Sequence, residues 1–477
     1  MNISIQNLMQ SSGVCFGTSG VRGLVTEITD EIGFAYTSAF LQVAKVKAGS
    51  RVALAIDLRP SSPTIAAACA AAIQHAGLQV DFCGAIPTPA LAYYAQQQGI
   101  TGIMVTGSHI PFDRNGIKFY GAAGEITKED EANISQAIVK LPDGCYTMTL
   151  PEVNLSARQL YISRYLDYLE PKSLSGLRLG FYQHSSVARD LFTELLETLG
   201  AEVISLGRTN EFVPLDTEAV AEVDIQRAKN WASEYKFDAI ISTDGDADRP
   251  LIGDENGLWM RGDIVGLLCA QYLQAQAVAT PVSCNTAIEQ CASFAYVTRT
   301  RIGSPYVIEA MEQMLDTGLQ NIVGFEANGG FLLGSRMVKN GRELAPLLTR
   351  DAALPIISIL AMAKEKGCKL SEITRDLPAR FTASDRLQSF PTKTSREILL
   401  KLAASQTATD VLLNPLGVVS KNLDQTDGLR ITLVNGEIIH FRPSGNAPEL
   451  RCYVEATSQA RADLLARESL SLIRNKL

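Results

Sequence analysis

Residues 51–83, RVALAIDLRPSSPTIAAACAAAIQHAGLQVDFC, decide the fold. Arg51 to Asp57 is an apolar run ending in polar residues, the pattern of a buried strand. The Ala-rich stretch Ser62 to Ala76 reads as a helix, and Leu78 to Cys83 returns to strand. A further helix lies behind Pro89, and a strand covers Thr101 to Thr106. The plan recurs with strands at Leu177 to Tyr182, Glu202 to Leu206 and Asp238 to Ser242. A third copy has strands at Pro281 to Cys284, Ala295 to Thr298 and Asn321 to Phe325. Strands alternating with helices imply parallel pairing with helices on both faces. Right-handed crossovers then bring the strand carboxyl ends to one side, where α/β sheets bind ligands.

After Gly367 the pattern changes to alternating segments (Leu429 to Val434, Ile438 to Phe441, Arg451 to Ala456) and helices, a smaller α+β domain. The expected architecture is α/β, three similar domains with mixed sheets plus that C-terminal domain, over residues 1–150, 151–253, 254–367 and 368–477. Linkers are expected at Leu141 to Asn154, Gly253 to Gly262 and Gly367 to Arg380. A chain of 477 residues is too long for one hydrophobic core, which agrees with this division.

Apolar residues make up 46% and charged residues 20%, as in ordinary globular proteins. A net charge of −8 offers no basic excess for neutralising nucleic-acid phosphates. Apolar runs such as Leu354 to Ala363 fall short of the roughly 18 residues of a membrane helix, so no membrane partner is expected. The first residues lack the basic start and apolar run of a signal peptide. Nine cysteines without a C-x-x-C pair fit a reduced cytoplasm, and Cys69, Cys83 and Cys269 read as core residues. Oligomeric state is not legible.

The third strand of each copy runs into a polar loop: Thr106-Gly-Ser-His-Ile-Pro111, Asp244-Gly-Asp-Ala-Asp-Arg249 and Glu326-Ala-Asn-Gly-Gly330. In the second, Asp244, Asp246 and Asp248 alternate with small residues, so their carboxylates converge and repel unless a cation lies among them. Hard oxygen ligands suit Mg²⁺, and Arg249 suits an anionic substrate. An EF-hand is disfavoured, because Arg249 occupies its glycine position and Pro250 follows. A solvated acidic turn, or Asp244 as a phosphatase nucleophile, stays open. Ser108 at a strand end is a phosphate acceptor if a base and a cation are near, with His109 and Lys118 as local candidates. The same serine is also what an ordinary turn would carry.

The tail loop offers Arg442, Ser444, Gly445 and Asn446, with Arg451 beyond, the composition of a phosphate cradle or of a plain β-turn. Gly17 to Gly23 forms a second flexible basic loop with Arg22. His75 and His440 read as structural, and His184 is undecided.

Taken in order, these loops resemble the α-D-phosphohexomutase superfamily along nearly the whole chain, most like its bacterial phosphomannomutases, which feed GDP-mannose and surface polysaccharides. The resemblance implies four domains around a central cleft, carrying in turn the phosphoserine loop, the metal site, sugar recognition and phosphate binding. It implies a mutase that moves a phosphoryl group between hexose 1-phosphate and hexose 6-phosphate, through phosphorylated Ser108 and a hexose 1,6-bisphosphate that also serves as activator. Asp244, Asp246 and Asp248 would bind Mg²⁺ with a serine phosphate oxygen, and Arg249, His109 and Lys118 would serve the transfer. Glu326 and Asn328 match the sugar reader. Arg442, Ser444, Gly445 and Asn446 match the loop for the non-reacting phosphate, and Arg301 and Gly303 match another substrate contact. The chain departs from the family at Ile110 (usually Asn), at Gly330 (often His), and at Asn446-Ala447 (usually Thr-Glu). Glucose and glucosamine phosphates are the alternative substrates. A phosphatase acting through Asp244 and a non-catalytic sugar-phosphate sensor are the alternatives of another class.

Overall fold

The strand expected at Arg51 forms over Arg51–Ile56, where every residue after the first is buried. The following helix, Ser62–His75, carries Pro in its first turn, where a missing N–H costs nothing. Its residues Ile65, Cys69 and Ile73, spaced by four, all face the core. Each such aliphatic side chain contributes about 1.5–3 kcal/mol when buried. Gly33 on the neighbouring helix Asp30–Val43 permits the close approach, since a Cβ there would lie 3.2 Å from Ala68 Cβ.

The computed structural model describes residues 2–17, 20–144, 146–444 and 449–475. The chain forms two compact units, one of residues 1–275 with 311–374 and the other of residues 276–310 with 375–477.

In the first unit the leading sheet runs Cys15–Phe16, Val21–Leu24, Arg114–Gly121, Thr101–Val105, Arg51–Ile56, Gln79–Ala85. Arg51–Ile56 pairs parallel to both Gln79–Ala85 and Thr101–Val105, as expected. A second sheet runs Glu202–Leu206, Arg178–Tyr182, Ala239–Thr243, Pro250–Gly253. The strands Ile322–Phe325, Phe331–Leu333 and Leu347–Asp351 follow the same logic.

Each chemical loop is the tip of an antiparallel return. Val105 pairs with Ile117, Thr243 with Pro250, and Phe325 with Phe331. The sheets are therefore mixed, as expected, with parallel pairing at Arg51–Ile56 and antiparallel pairing at these returns. The return strands follow their loops without an intervening helix, so no change of period announces them.

The second unit holds the parallel pair Ala277–Pro281 and Tyr296–Thr300. The strand expected at Pro281 to Cys284 thus lies earlier, with Pro281 as its last residue. Five antiparallel strands follow in the order Phe381–Leu387, Leu450–Ala456, Ile438–Pro443, Leu429–Leu433, Ser420–Asp424, covered by the helix Gln459–Arg474. Among the described residues no helix is long and apolar enough to cross a membrane, and the cysteines described are all free.

Candidate active site

The loop after Thr101–Val105 is held from below by Asp57 and Arg59, neither of which the sequence reading singled out. Asp57 Oδ2 accepts from Thr106 Oγ1 at 2.8 Å and from the Gly107 amide at 3.1 Å. Arg59, 2% exposed, donates to the carbonyls of Ser108 (3.0 Å), Ile110 (2.6 Å), Pro111 (2.8 Å) and Arg114 (2.8 Å). A Cβ on Gly107 would lie 2.3 Å from Arg59 Cζ, so only glycine fits over the guanidinium. This clamp keeps buried Ser108 in the left-handed region at φ 51, a conformation costing about 1–3 kcal/mol for a non-glycine residue.

Ser108 Oγ donates to Asp244 Oδ2 at 2.6 Å and lies 3.3 Å from His109 Nδ1. The serine loop and the acidic loop therefore meet. A Cβ on Gly245 would come within 2.8 Å of the Ser108 carbonyl oxygen.

Asp244, Asp246 and Asp248 are all buried, and one oxygen from each lies within 4.8 Å of the others. Lys118 Nζ, 2% exposed, bonds Asp246 Oδ2 at 2.7 Å and Asp248 Oδ2 at 2.8 Å. Thr88 adds a bond from Oγ1 to Asp246 Oδ2 at 2.6 Å and one from its amide to the Asp246 carbonyl at 2.9 Å. The remaining oxygens, Asp246 Oδ1 and Asp248 Oδ1, are buried without a hydrogen-bond partner. Burial raises the Asp244 carboxyl well above the usual carboxylate range, and the charges of Asp246 and Asp248 raise it further. Burial acts the same way on Asp248, but Arg350, Lys118 and Arg249 outweigh it and hold that carboxyl well below the range. Orphaned carboxylate oxygens, concentrated negative charge and an all-oxygen donor set fit a small divalent cation such as Mg²⁺.

Basic groups surround these carboxylates. Arg249 Nε lies 3.6 Å from Asp248 Oδ1, and Arg22 Nη1 donates to the Thr106 carbonyl. The Arg249 charge and then burial pull the His109 imidazole down to about 3, so it is neutral at pH 7. Glu326 and Asn328 are both buried. Asn328 Oδ1 accepts from the Gly330 amide at 2.9 Å, and its carbonyl accepts from Thr217 Oγ1 at 2.7 Å. Arg350, unmarked in the sequence, contacts both Asp248 and Glu326. It sits on a return strand in no motif. Phe212 stacks on Arg59, with its ring centroid 3.8 Å from Cζ. Thus Ser108, His109, Lys118, Asp244, Asp246, Asp248, Arg249, Arg22, Glu326 and Asn328 all lie in the first unit. His184, left open by the sequence, is buried with Nε2 2.9 Å from the Thr243 carbonyl oxygen, a structural neighbour of the acidic loop.

The other expected residues lie in the second unit. Arg442 Nε bonds Asp427 Oδ1 at 3.0 Å, while Asp427 Oδ2 accepts from the Ile302 amide at 3.0 Å, between Arg301 and Gly303. One carboxylate thus joins two expected substrate contacts, a link invisible across 125 residues of sequence. Arg442 sits directly across from Arg451, and Arg451 across from Arg386, in register on three adjacent strands. Like charges side by side are unfavourable unless neutralised; Glu449 lies 3.3 Å from Arg386 Nη1 and 3.8 Å from Arg451 Nε, and Arg386 was missed by sequence. Ser444 is buried, and its amide bonds the Glu449 carbonyl at 2.9 Å. Gly445 and Asn446 lie outside the described residues.

Four domain families match the chain in order. Phosphoglucomutase/phosphomannomutase α/β/α domain I matches residues 13–143, domain II residues 160–257, domain III residues 261–381, and the C-terminal domain residues 392–471. The chain is 50% identical to a phosphomannomutase of Salmonella muenchen, over 99% of this chain and 98% of that one. It is 44% identical to a phosphomannomutase of Sinorhizobium fredii (strain NBRC 101917 / NGR234), over 98% of this chain and all of that one. The crystal structure of a phosphoglucomutase/phosphomannomutase family protein from Burkholderia thailandensis superposes with a TM-score of 0.73, at 19% identity, over 96% of this chain and 97% of that one, which shows a common fold.

Proposed function

Because the chain belongs to the phosphoglucomutase/phosphomannomutase family and is a hexose phosphate mutase, we propose that it interconverts mannose 1-phosphate and mannose 6-phosphate through a phosphoryl group carried on Ser108. The observation that carries this reading is the 2.6 Å bond between buried Ser108 and Asp244, which joins the proposed phosphate carrier to the acidic triad. The relatives named as phosphomannomutases support the sugar.

In the first transfer the bond between Ser108 Oγ and phosphorus breaks, and a free hydroxyl of the hexose monophosphate takes the phosphoryl group and releases its proton. The product is the 1,6-bisphosphate, which also acts as activator by loading free Ser108. After it turns over, its other phosphoryl group returns to Ser108 Oγ. Asp244, Asp246 and Asp248, with a phosphate oxygen on Ser108, would hold Mg²⁺, which would supply positive charge to the group in transfer. Arg249 supports the same charge, and His109, with Nδ1 3.3 Å from Ser108 Oγ, serves proton transfer beside it. Lys118 fixes two of the carboxylates from the side opposite their free oxygens. Glu326 and Asn328 contact sugar hydroxyls, with Arg22, Arg301 and Gly303 as further substrate contacts. Arg442, Ser444, Gly445, Asn446 and Arg451 hold the phosphate that is not reacting. The division into residues 1–150, 151–253, 254–367 and 368–477 assigns these tasks to four domains.

The test is a comparison of kcat/KM for mannose, glucose and glucosamine 1-phosphates. Mannose 1-phosphate is expected to be best, and a clear preference for glucosamine 1-phosphate would overturn the sugar assignment. Chelation should stop turnover and Mg²⁺ restore it. Asp246→Asn should weaken Mg²⁺ binding by more than about 100-fold in calorimetry, since even outer-shell partners of a metal contribute 10- to 100-fold. Full activity without bound metal would remove the ion's role.

Arg442→Ala should lower kcat/KM by roughly 10- to 150-fold in both directions, the value of one charge-assisted hydrogen bond. Serine phosphorylation and Mg²⁺ binding should survive, because those residues lie in the other unit. A loss in one direction only would show that Arg442 meets one end of the sugar alone.

A further inference from the structure

Arg350 lies near the end of the strand Leu347–Asp351 and is 3% exposed. Its Nε and Nη2 donate to Asp248 Oδ2 at 3.1 and 2.8 Å, and its Nη1 donates to Glu326 Oε2 at 3.1 Å. One rigid plane therefore spans a carboxylate of the acidic loop and a carboxylate of the Glu326 loop. Burial disfavours the guanidinium, but the charges of Asp248 and Glu326 more than restore it. The chain makes space for this arrangement at Gly330. A Cβ there would lie 2.4 Å from Arg350 Cδ and 2.8 Å from its Cγ, so no side chain at position 330 coexists with Arg350 as placed. Asp248 Oδ2 is fully engaged by Arg350 and Lys118, while Asp248 Oδ1 has no hydrogen-bond partner.

We propose that Arg350 is a positioning residue that couples cation binding at the acidic loop to sugar binding at Glu326. By holding Asp248 through one oxygen it leaves the other for the cation. By holding Glu326 through the far end of the same plane it fixes that carboxylate for sugar hydroxyls. A ligand that orders either carboxylate orders the guanidinium, and through it the second carboxylate. Lysine cannot substitute, because a single ammonium lacks the planar fork that reaches two acids at once. The inference rests on Glu326 being a sugar contact.

The experiment uses the full chain freed of serine phosphate, so that no transfer occurs. Mg²⁺ is titrated by calorimetry with and without mannose 1-phosphate, and the sugar phosphate with and without Mg²⁺. Wild-type protein should show each ligand tightening the other by the same factor, at least about 5-fold. Arg350→Lys keeps the charge, and Gly330→Ala displaces the guanidinium without removing it. Both should bring the coupling factor close to one and raise KM roughly 10-fold or more. Retention of wild-type coupling and KM in both variants, or no coupling in the wild type, would overturn the inference. Glu326→Gln separates the two readings. If it leaves KM unchanged, the sugar contact itself fails and the inference falls with it. If it raises KM while Arg350→Lys does not, only the coupling role is lost.

Discussion

Ser108→Ala protein should carry no acid-stable phosphate and should turn over hexose phosphate roughly 10⁴- to 10⁶-fold more slowly than wild type, the scale of deleting a covalent nucleophile. The native hydroxyl is placed by three independent constraints. Arg59 holds the Ser108 carbonyl, Thr106 Oγ1 accepts from the Ser108 amide at 2.8 Å, and Asp244 takes the hydroxyl itself. Alanine removes only the last, so the loop should persist and the loss should lie in chemistry. Intact-mass measurement of the wild-type and variant proteins reads the phosphate, and a rapid-quench assay reads the rate. A labile acyl phosphate that survives in Ser108→Ala would place the carrier at Asp244 and sink the serine mechanism.

The second large effect is on stability. Arg59→Ala should destabilise the first unit by about 3–5 kcal/mol, because it leaves Asp57 as a buried charge without its ion-pair partner at 3.3 Å. It also strips the carbonyls of Ser108, Ile110, Pro111 and Arg114 of a shared donor. Urea unfolding followed through the first unit measures the loss. Hydrogen exchange should rise most across residues 106–114, since Arg59 holds four carbonyls there. A variant with wild-type stability and unchanged exchange there would show that Asp57 alone holds the loop.

These two residues differ in how far sequence could find them. Ser108 stands at the end of an apolar run, flanked by Gly107 and His109, and its loop is one of a set in recognisable order. Arg59 follows the first strand of the same repeat, among ordinary loop residues, and nothing local distinguishes it from a solvated arginine. Its role comes from lying under a loop 49 residues away. Arg350 is the same case, joined to Asp248 across 102 residues. Thr88, beside Pro89 and unmarked in the sequence, bonds Asp246 across 158 residues.

What the sequence determined by itself was local and periodic. Apolar runs such as Arg51–Ile56 and the four-residue spacing of Ile65, Cys69 and Ile73 specify strand and helix, because burial of a face requires that period. The spacing of Asp244, Asp246 and Asp248 likewise pointed to a counter-charge among them, because three close carboxylates repel one another. Only the tertiary structure decided that each chemical loop returns as an antiparallel strand, and which distant cations meet the carboxylates. Pairing partners and ion pairs are chosen by proximity after the chain has closed on itself. Lys118, Arg350 and Thr88 each supply a donor where burial leaves an acid in need of one, and that need exists only in the folded chain.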